Sequence, residues 1–181
     1  YLLDGHTGAL LAQESCMNPQ SQFGADVISR IQTVLKDGGD VMSGCIRTAM
    51  TQLTARAAAK VGIAPEQITA AAIVGNTAMH HLLLGIDPKP LVTPPYMPAV
   101  SEALERGIAR ILPNIAGFVG GDTVGCMTAL QFDKLTEPSL LIDIGTNGEL
   151  VMTDGKKMLA CSTAAGPAFA GAKISCGMRA A

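Results

Sequence analysis

Leu140-Leu141-Ile142-Asp143-Ile144-Gly145-Thr146-Asn147-Gly148-Glu149-Leu150-Val151 is the stretch on which the fold class turns. An apolar run long enough for a central strand ends in a carboxylate, turns through Gly-Thr-Asn-Gly, and resumes as a second apolar strand. Burying Asp143 is unfavourable unless amide donors, a metal ion or metal-bound water compensate it. Two interpretations of the turn stand side by side. Its backbone N–H groups can form a concave nest for an anion, with glycines admitting a phosphate closely. Equally, Asn147-Gly148 is a strong type I′ hairpin signal, and Asp143 can bond its own turn. No Walker A lysine pattern and no GxGxxG occurs, so neither a P-loop nor a dinucleotide fold is supported.

Working outward, Ser139–Ile144, Glu149–Thr153 and Lys157–Cys161 read as strands, and Gly166 onward as loop then helix. Glu137-Pro138 marks a lobe boundary, dividing 1–136 from 137–181. At the start, Tyr1–Asp4 and Ala9–Glu14 read as a hairpin around Gly5-His6-Thr7-Gly8. Val27, Ile28, Ile31, Val34 and Leu35 recur at helical spacing up to Gly38-Gly39, with Asp26 in the first turn. A second helix runs from an N-cap at Asp40 to Gly62, with Met42, Cys45, Ile46, Ala49, Met50 and Leu53 as its buried stripe. Ile68–Val74 reads as a strand, Gly75-Asn76-Thr77 opens a helix through Leu84, and the prolines between Asp87 and Pro98 stiffen a loop. Ile108 to Val119 reads as a strand pair or approach strand, and Gly120-Gly121-Asp122 opens a helix to about Phe132. Alternating strands and helices make the class α/β.

Composition narrows the function. Of 181 residues, 48% are apolar and 15% charged, which excludes intrinsic disorder. With 13 basic and 15 acidic residues the net charge is −2, too balanced for nucleic acid or an anionic membrane surface as partner. Aromatics are 3%, too few for a base-stacking platform. Gln67 to Ile86 lacks charged residues, but Gly75, Asn76, Thr77, His80 and His81 interrupt it, so a buried strand and helix explain it better than a membrane span. The five cysteines, at 16, 45, 126, 161 and 176, form no CxxC pair and no iron–sulfur spacing. They read as core thiols of a reducing, cytoplasmic compartment.

Three further Gly-bounded polar points follow strands. Asn76 or Thr77 can cap a helix; Asp122 can cap another or orient a magnesium-bound water; Ser162-Thr163-Ala164-Ala165-Gly166-Pro167 can admit a ligand to its backbone or serve close packing. His80 and His81, adjacent on one helix, point different ways and suggest core histidines rather than metal ligands.

Taken together and in order, Phe23-Gly24-Ala25-Asp26-Val27-Ile28-Ser29-Arg30, Val74-Gly75-Asn76-Thr77-Ala78-Met79-His80-His81, Phe118-Val119-Gly120-Gly121-Asp122, Ile142-Asp143-Ile144-Gly145-Thr146-Asn147-Gly148-Glu149 and Ala165-Gly166-Pro167-Ala168-Phe169 carry a family resemblance. The chain resembles the large C-terminal domain of the ATP-dependent reductive activators of corrinoid proteins, the RACo-like proteins. That resemblance implies a two-lobed, actin-like ATPase fold, truncated here at both ends. Residues 1–136 would be most of the first lobe, with inserted helices and a Pro-rich loop, and 137–181 the start of the second lobe with its phosphate-loop hairpin. It also implies ATP and magnesium as cofactors, with Asp143 and Asp122 as catalytic carboxylates and Asp143 near the metal. Gly145, Thr146, Asn147, Gly148, Gly75, Asn76, Gly121 and Gly166 would bind the nucleotide. The partner implied is a corrinoid protein, returned from cob(II) to cob(I) for methyl transfer, and a homodimer stays open. A [2Fe–2S] cluster is expected only on an N-terminal domain absent from this stretch. The family's first-lobe phosphate loop and its adenosine-contacting part are expected to lie outside it too, so the fragment alone is not expected to hydrolyse ATP efficiently. Ala170 stands where the family usually has Glu. The competing expectations are a non-hydrolytic corrinoid-protein binding module and a small-molecule kinase on the same fold.

Overall fold

A computed structural model describes residues 1–145 and 147–164. Thr146, Gly166, Ala170, the Ala165–Phe169 segment and the expected loop and helix from Gly166 onward lie outside them. The opening hairpin pairs β1 (Leu2–Leu3) antiparallel with β2 (Leu10–Ala12). Asp4 ties the turn together by accepting from the His6 and Thr7 amides at 3.0 and 2.7 Å.

Helix α1 (Val27–Asp37) begins with a capping box. Asp26 accepts the Ser29 amide at 2.8 Å, and Ser29 Oγ accepts the Asp26 amide at 3.2 Å, so Asp26 is the cap rather than a first-turn residue. Asp26→Ala is expected to weaken this helix by about 1 kcal/mol, read as faster amide hydrogen exchange through its first turns. Helix α2 (Asp40–Val61) starts one residue earlier than its acidic signal suggests, because Gly39 takes the cap position and Asp40 the first turn, where its charge favours the helix dipole. Met42 is buried and Cys45, Ile46, Ala49, Met50 and Leu53 are half-buried along its expected stripe.

The next sheet has the order β3-β5-β4. β3 (Ala71–Ile73) runs parallel to β5 (Ala109–Ile111), and β4 (Leu104–Arg106) is antiparallel to β5. The strand pair expected between Ile108 and Val119 therefore takes its second strand from upstream. Pro113 removes a ladder donor just past β5, and the chain from Leu112 turns toward a helix instead. The parallel pair requires a crossover, and α3 (Thr77–Leu84) supplies it. Helix α4 (Gly121–Ala129) follows β5, ending earlier than expected because Gln131 adopts a left-handed conformation, φ 49°, before a short 3₁₀ turn at Phe132–Lys134. Ile31, Ala78 and Leu91 form a buried cluster joining α1, α3 and the Pro-rich loop, flanked by Val27, Met79 and Val92.

Last comes an antiparallel meander of β6 (Ser139–Ile144), β7 (Asn147–Thr153) and β8 (Met158–Ala164). Among the described residues β6 lies at the edge of this sheet, not at its centre. Asn147 and Gly148 are paired within β7 rather than forming the corners of a type I′ turn. A turn on those two residues would have set Asp143 opposite Met152; the observed register sets Asp143 opposite Glu149.

Candidate functional site

The parallel arrangement of β3 and β5 sends α3 and α4 off from the same edge of their sheet. Carboxyl ends of parallel strands are where α/β proteins place ligands. The two helix starts are packed backbone to backbone. A Cβ on Gly120 would lie 2.5 Å from the Thr77 amide nitrogen and 2.6 Å from Asn76 Cα. The Asp122 amide donates to the Gly75 carbonyl at 3.1 Å, joining two segments that stand far apart in sequence.

Most of the expected nucleotide-binding groups already have partners. Asn76 Oδ1 accepts the Met79 amide at 2.9 Å and caps α3. The Gly121 amide donates to Asn114 Oδ1 at 3.2 Å, and the Thr123 amide to Asp122 Oδ1 at 2.9 Å. The first turn of α4 is thereby internally satisfied. Gly145 donates its amide to the Asn147 carbonyl at 2.9 Å. Gly148 is buried inside the sheet.

The carboxylates are different. Asp143 and Glu149 face each other across the β6–β7 ladder, and Ser162 completes the row from β8, its Oγ donating to Glu149 Oε1 at 3.1 Å. The same face carries buried Val151. Asp122, from α4, lies within electrostatic reach of both acids. All three are half-buried. Burial first, and then the charge of Asp143, pushes the Asp122 carboxyl above the usual range, despite its bond to the Thr123 amide. Burial likewise raises Glu149, with Asp122 and Asp143 adding to it and the Ser162 hydroxyl opposing. Like charges directly opposite on a sheet are unfavourable. Among the described residues the ion pairs are Arg56 and Lys60 with Glu14 and Arg110 with Glu105, so no basic side chain neutralises this trio.

Glu149 is the member that sequence reasoning did not assign. The hairpin register alone exposes it, by placing it opposite Asp143. Carboxylate oxygens are the donor chemistry that a hard divalent cation such as magnesium prefers. No three described acidic, histidine or cysteine side chains are close enough to enclose a metal by themselves. Magnesium characteristically takes one or two carboxylates and fills its remaining positions with water and phosphate oxygens.

His80 and His81 are core groups, whereas His6 is exposed in the opening hairpin turn. His81 is fully buried, its Nδ1 bonded to the Thr77 carbonyl at 2.7 Å and its Nε2 accepting the Ala99 amide at 3.1 Å. The described cysteines are free thiols but, against the expectation, none is a core residue: Cys16 and Cys161 are exposed and Cys45 and Cys126 half-buried. Among the described residues no helix is long and apolar enough to cross a membrane.

Comparison with known proteins adds a consistent set of likenesses. Residues 1–135 match the RACo middle region, and residues 137–181 match the C-terminal domain of RACo, the ASKHA domain. The chain is 34% identical to the corrinoid activation enzyme RamQ of Eubacterium limosum over 99% of its own length and 32% of that protein's. It is 41% identical to the [Co(II) methylated amine-specific corrinoid protein] reductase of Methanosarcina barkeri over 36% of this chain and 12% of the reductase. A solved reductive activator for corrinoid, iron-sulfur protein superposes with a TM-score of 0.78 at 35% identity, covering 91% of this chain and 28% of that one. The chain thus spans about a third or less of each of these relatives. A mixed α/β chain whose two segments match successive RACo regions, and whose acidic cluster lies where those segments meet, belongs to the RACo family of corrinoid-protein activators.

Proposed function

We propose that this chain is the nucleotide-responsive part of a reductive activator that uses ATP to return a corrinoid protein from cob(II) to cob(I). The observation that carries this reading is the likeness to RamQ along 99% of the chain. In this reading the complete protein is a two-lobed ATPase, and the carboxylates of Asp122, Asp143 and Glu149 sit between lobes. Magnesium, when bound, would neutralise phosphate charge. Asp122 and Asp143 would orient it, in part through bound water, and Glu149, held in place by Ser162, would add negative charge beside it. Gly145, Thr146, Asn147 and Gly148, together with Gly75, Asn76, Gly121 and Gly166, would border the phosphates. Several of their amides are already engaged: phosphate contact at Gly145 requires its bond to the Asn147 carbonyl to be exchanged as the lobes close, whereas Gly121 would border the phosphates with its amide still held by Asn114.

Closure gives ATP a way to act on the partner. A nucleotide that binds the closed form more tightly shifts the population toward it by its differential affinity. One electron converts cob(II)alamin to cob(I)alamin, and a [2Fe–2S] domain outside this stretch would supply it. A cytoplasmic location and a homodimeric assembly accompany this reading. The test is reduction of a corrinoid protein by the full-length protein, followed through the cob(I) absorbance with and without ATP. Reduction is expected to require ATP and magnesium; reduction at an unchanged extent without ATP sinks the proposal.

A further inference from the structure

We propose that Asn114 is a positioning residue for Asp122, and that its amide, oriented by Gly121 and Val100, sets the imidazole tautomer of His80. The inference rests on Asp122 belonging to the magnesium–nucleotide site. Asn114 lies in the loop between β5 and α4 and is 5% exposed. Its side chain is a junction of three elements. Oδ1 accepts the Gly121 amide at 3.2 Å, at the first residue of α4 and next to Asp122. Nδ2 donates to the Val100 carbonyl at 3.3 Å and also meets His80 Nδ1 of α3 in a short contact.

These partners leave Asn114 one orientation. Rotating the amide by half a turn would aim its N–H bonds at the Gly121 N–H and its oxygen at the Val100 carbonyl oxygen. Because Nδ2 is therefore the donor, His80 Nδ1 must accept, and the imidazole proton resides on Nε2. His80 is 4% exposed, and its Nε2 has no partner among the described residues. Among the described residues nothing bonded to Nε2 selects that tautomer, so the bond to Asn114 does.

The consequence reaches the site. A second proton on His80 would put an N–H at Nδ1 against the Asn114 N–H₂ group. Asn114 would have to turn away or rotate, and the Gly121 amide would lose its acceptor. The first turn of α4 would loosen beside Asp122. Burial first, and His81 second, hold His80 in the neutral form and lower its pKa below the ordinary 6.5. Of the other charged groups at this junction, Arg30 of α1 reaches Met79 and Arg47 of α2 reaches the Leu83 carbonyl. Asp87 acts on His81, and Asp122 stands on α4 next to Gly121, whose amide Asn114 accepts.

The test uses the full-length protein and two readouts. Nitrogen-15 NMR of the histidine rings is expected to show His80 as the Nε2–H tautomer, uncharged until the pH falls below 6.5. Asn114→Asp retains an acceptor for Gly121 but presents an anion to Nδ1. It should raise the His80 pKa and move the proton to Nδ1. Asn114→Ala should weaken magnesium–ADP binding by about 10-fold, as expected for an outer-shell positioning group, with a smaller loss in Asn114→Asp. An Nδ1–H tautomer in the unmodified protein, or a His80 pKa unmoved by Asn114→Asp, would overturn the relay. So would unaltered magnesium–ADP affinity in Asn114→Ala. If the unmodified protein binds no magnesium–ADP while the tautomer and its shift appear as expected, the relay stands and the assignment of the site to nucleotide fails instead.

Discussion

Asp143→Ala in the full-length protein is expected to weaken magnesium–nucleotide binding by roughly 10- to 100-fold, the usual effect of deleting a carboxylate that supports a metal. The nucleotide-free protein should respond in the opposite direction. Asp122 and Glu149 have carboxyl groups raised above their ordinary values of 3.8 and 4.5, partly by the charge of Asp143. A carboxyl raised on folding binds protons that the unfolded chain has already released. Its stabilising contribution is therefore present below the unfolded pKa and is lost as pH rises through the folded one. At neutral pH the charged trio works against the fold, and removing Asp143 relieves part of that repulsion. Without nucleotide, Asp143→Ala should consequently melt no lower than the unmodified protein near pH 7. Magnesium with ADP should raise the Tm of the unmodified protein more than that of the variant. Equal binding by titration calorimetry would overturn the role of Asp143 in the nucleotide site.

Gly120→Ala is expected to destabilise the protein by about 3 kcal/mol, the upper end for overpacking, and to reduce nucleotide binding with it. The reason is not backbone conformation, since Gly120 has φ −100° and ψ −172°, which any residue adopts. The reason is contact: the new methyl would meet Thr77 N at 2.5 Å, Asn76 Cα at 2.6 Å and Asn76 C at 2.8 Å. All three are backbone atoms, so no rotamer change relieves the clash. Relief requires α3 and α4 to separate at their N-termini, which breaks the Asp122–Gly75 hydrogen bond and displaces Asp122. Gly44→Ala supplies the comparison. Gly44 is exposed in the second turn of α2, and a Cβ there meets nothing within 4 Å, so the change should stabilise by about 0.5–1 kcal/mol. Thermal melts of the two variants should diverge in sign. A Gly120→Ala protein as stable as Gly44→Ala would show that the helix starts are not pinned as described.

Local chemistry was the part a sequence could determine. Helical periodicity placed α1 and α2, and the Gly-Asn-Thr and Gly-Gly-Asp signals placed the starts of α3 and α4. The apolar runs placed the meander, and the ordered motifs carried the resemblance to the RACo family. These features depend on neighbours a few residues apart, where spacing and backbone preference act directly. Strand pairing was less legible. The Asn-Gly dipeptide advertised a two-residue turn, yet both residues are laddered in β7, with Gly148 opposite Ile144 and Thr163. A three-stranded sheet adds partners on both sides of β7, and that ladder outweighs the local turn preference.

Only the tertiary structure decided which polar residues share a site. Asp122 and Gly75 stand far apart along the chain but meet because a parallel strand pair directs two helices from one sheet edge. Asp143 and Glu149 became neighbours through register, and Asn114 gained its role by touching α3, α4 and the Val100 loop at once. The sequence by itself determined most of the elements, though not strand β4, together with the family and the identity of the carboxylate strand end. The tertiary structure decided which amides are engaged and where unneutralised negative charge collects, because like-charge repulsion and hydrogen-bond saturation depend on distances that spacing does not encode.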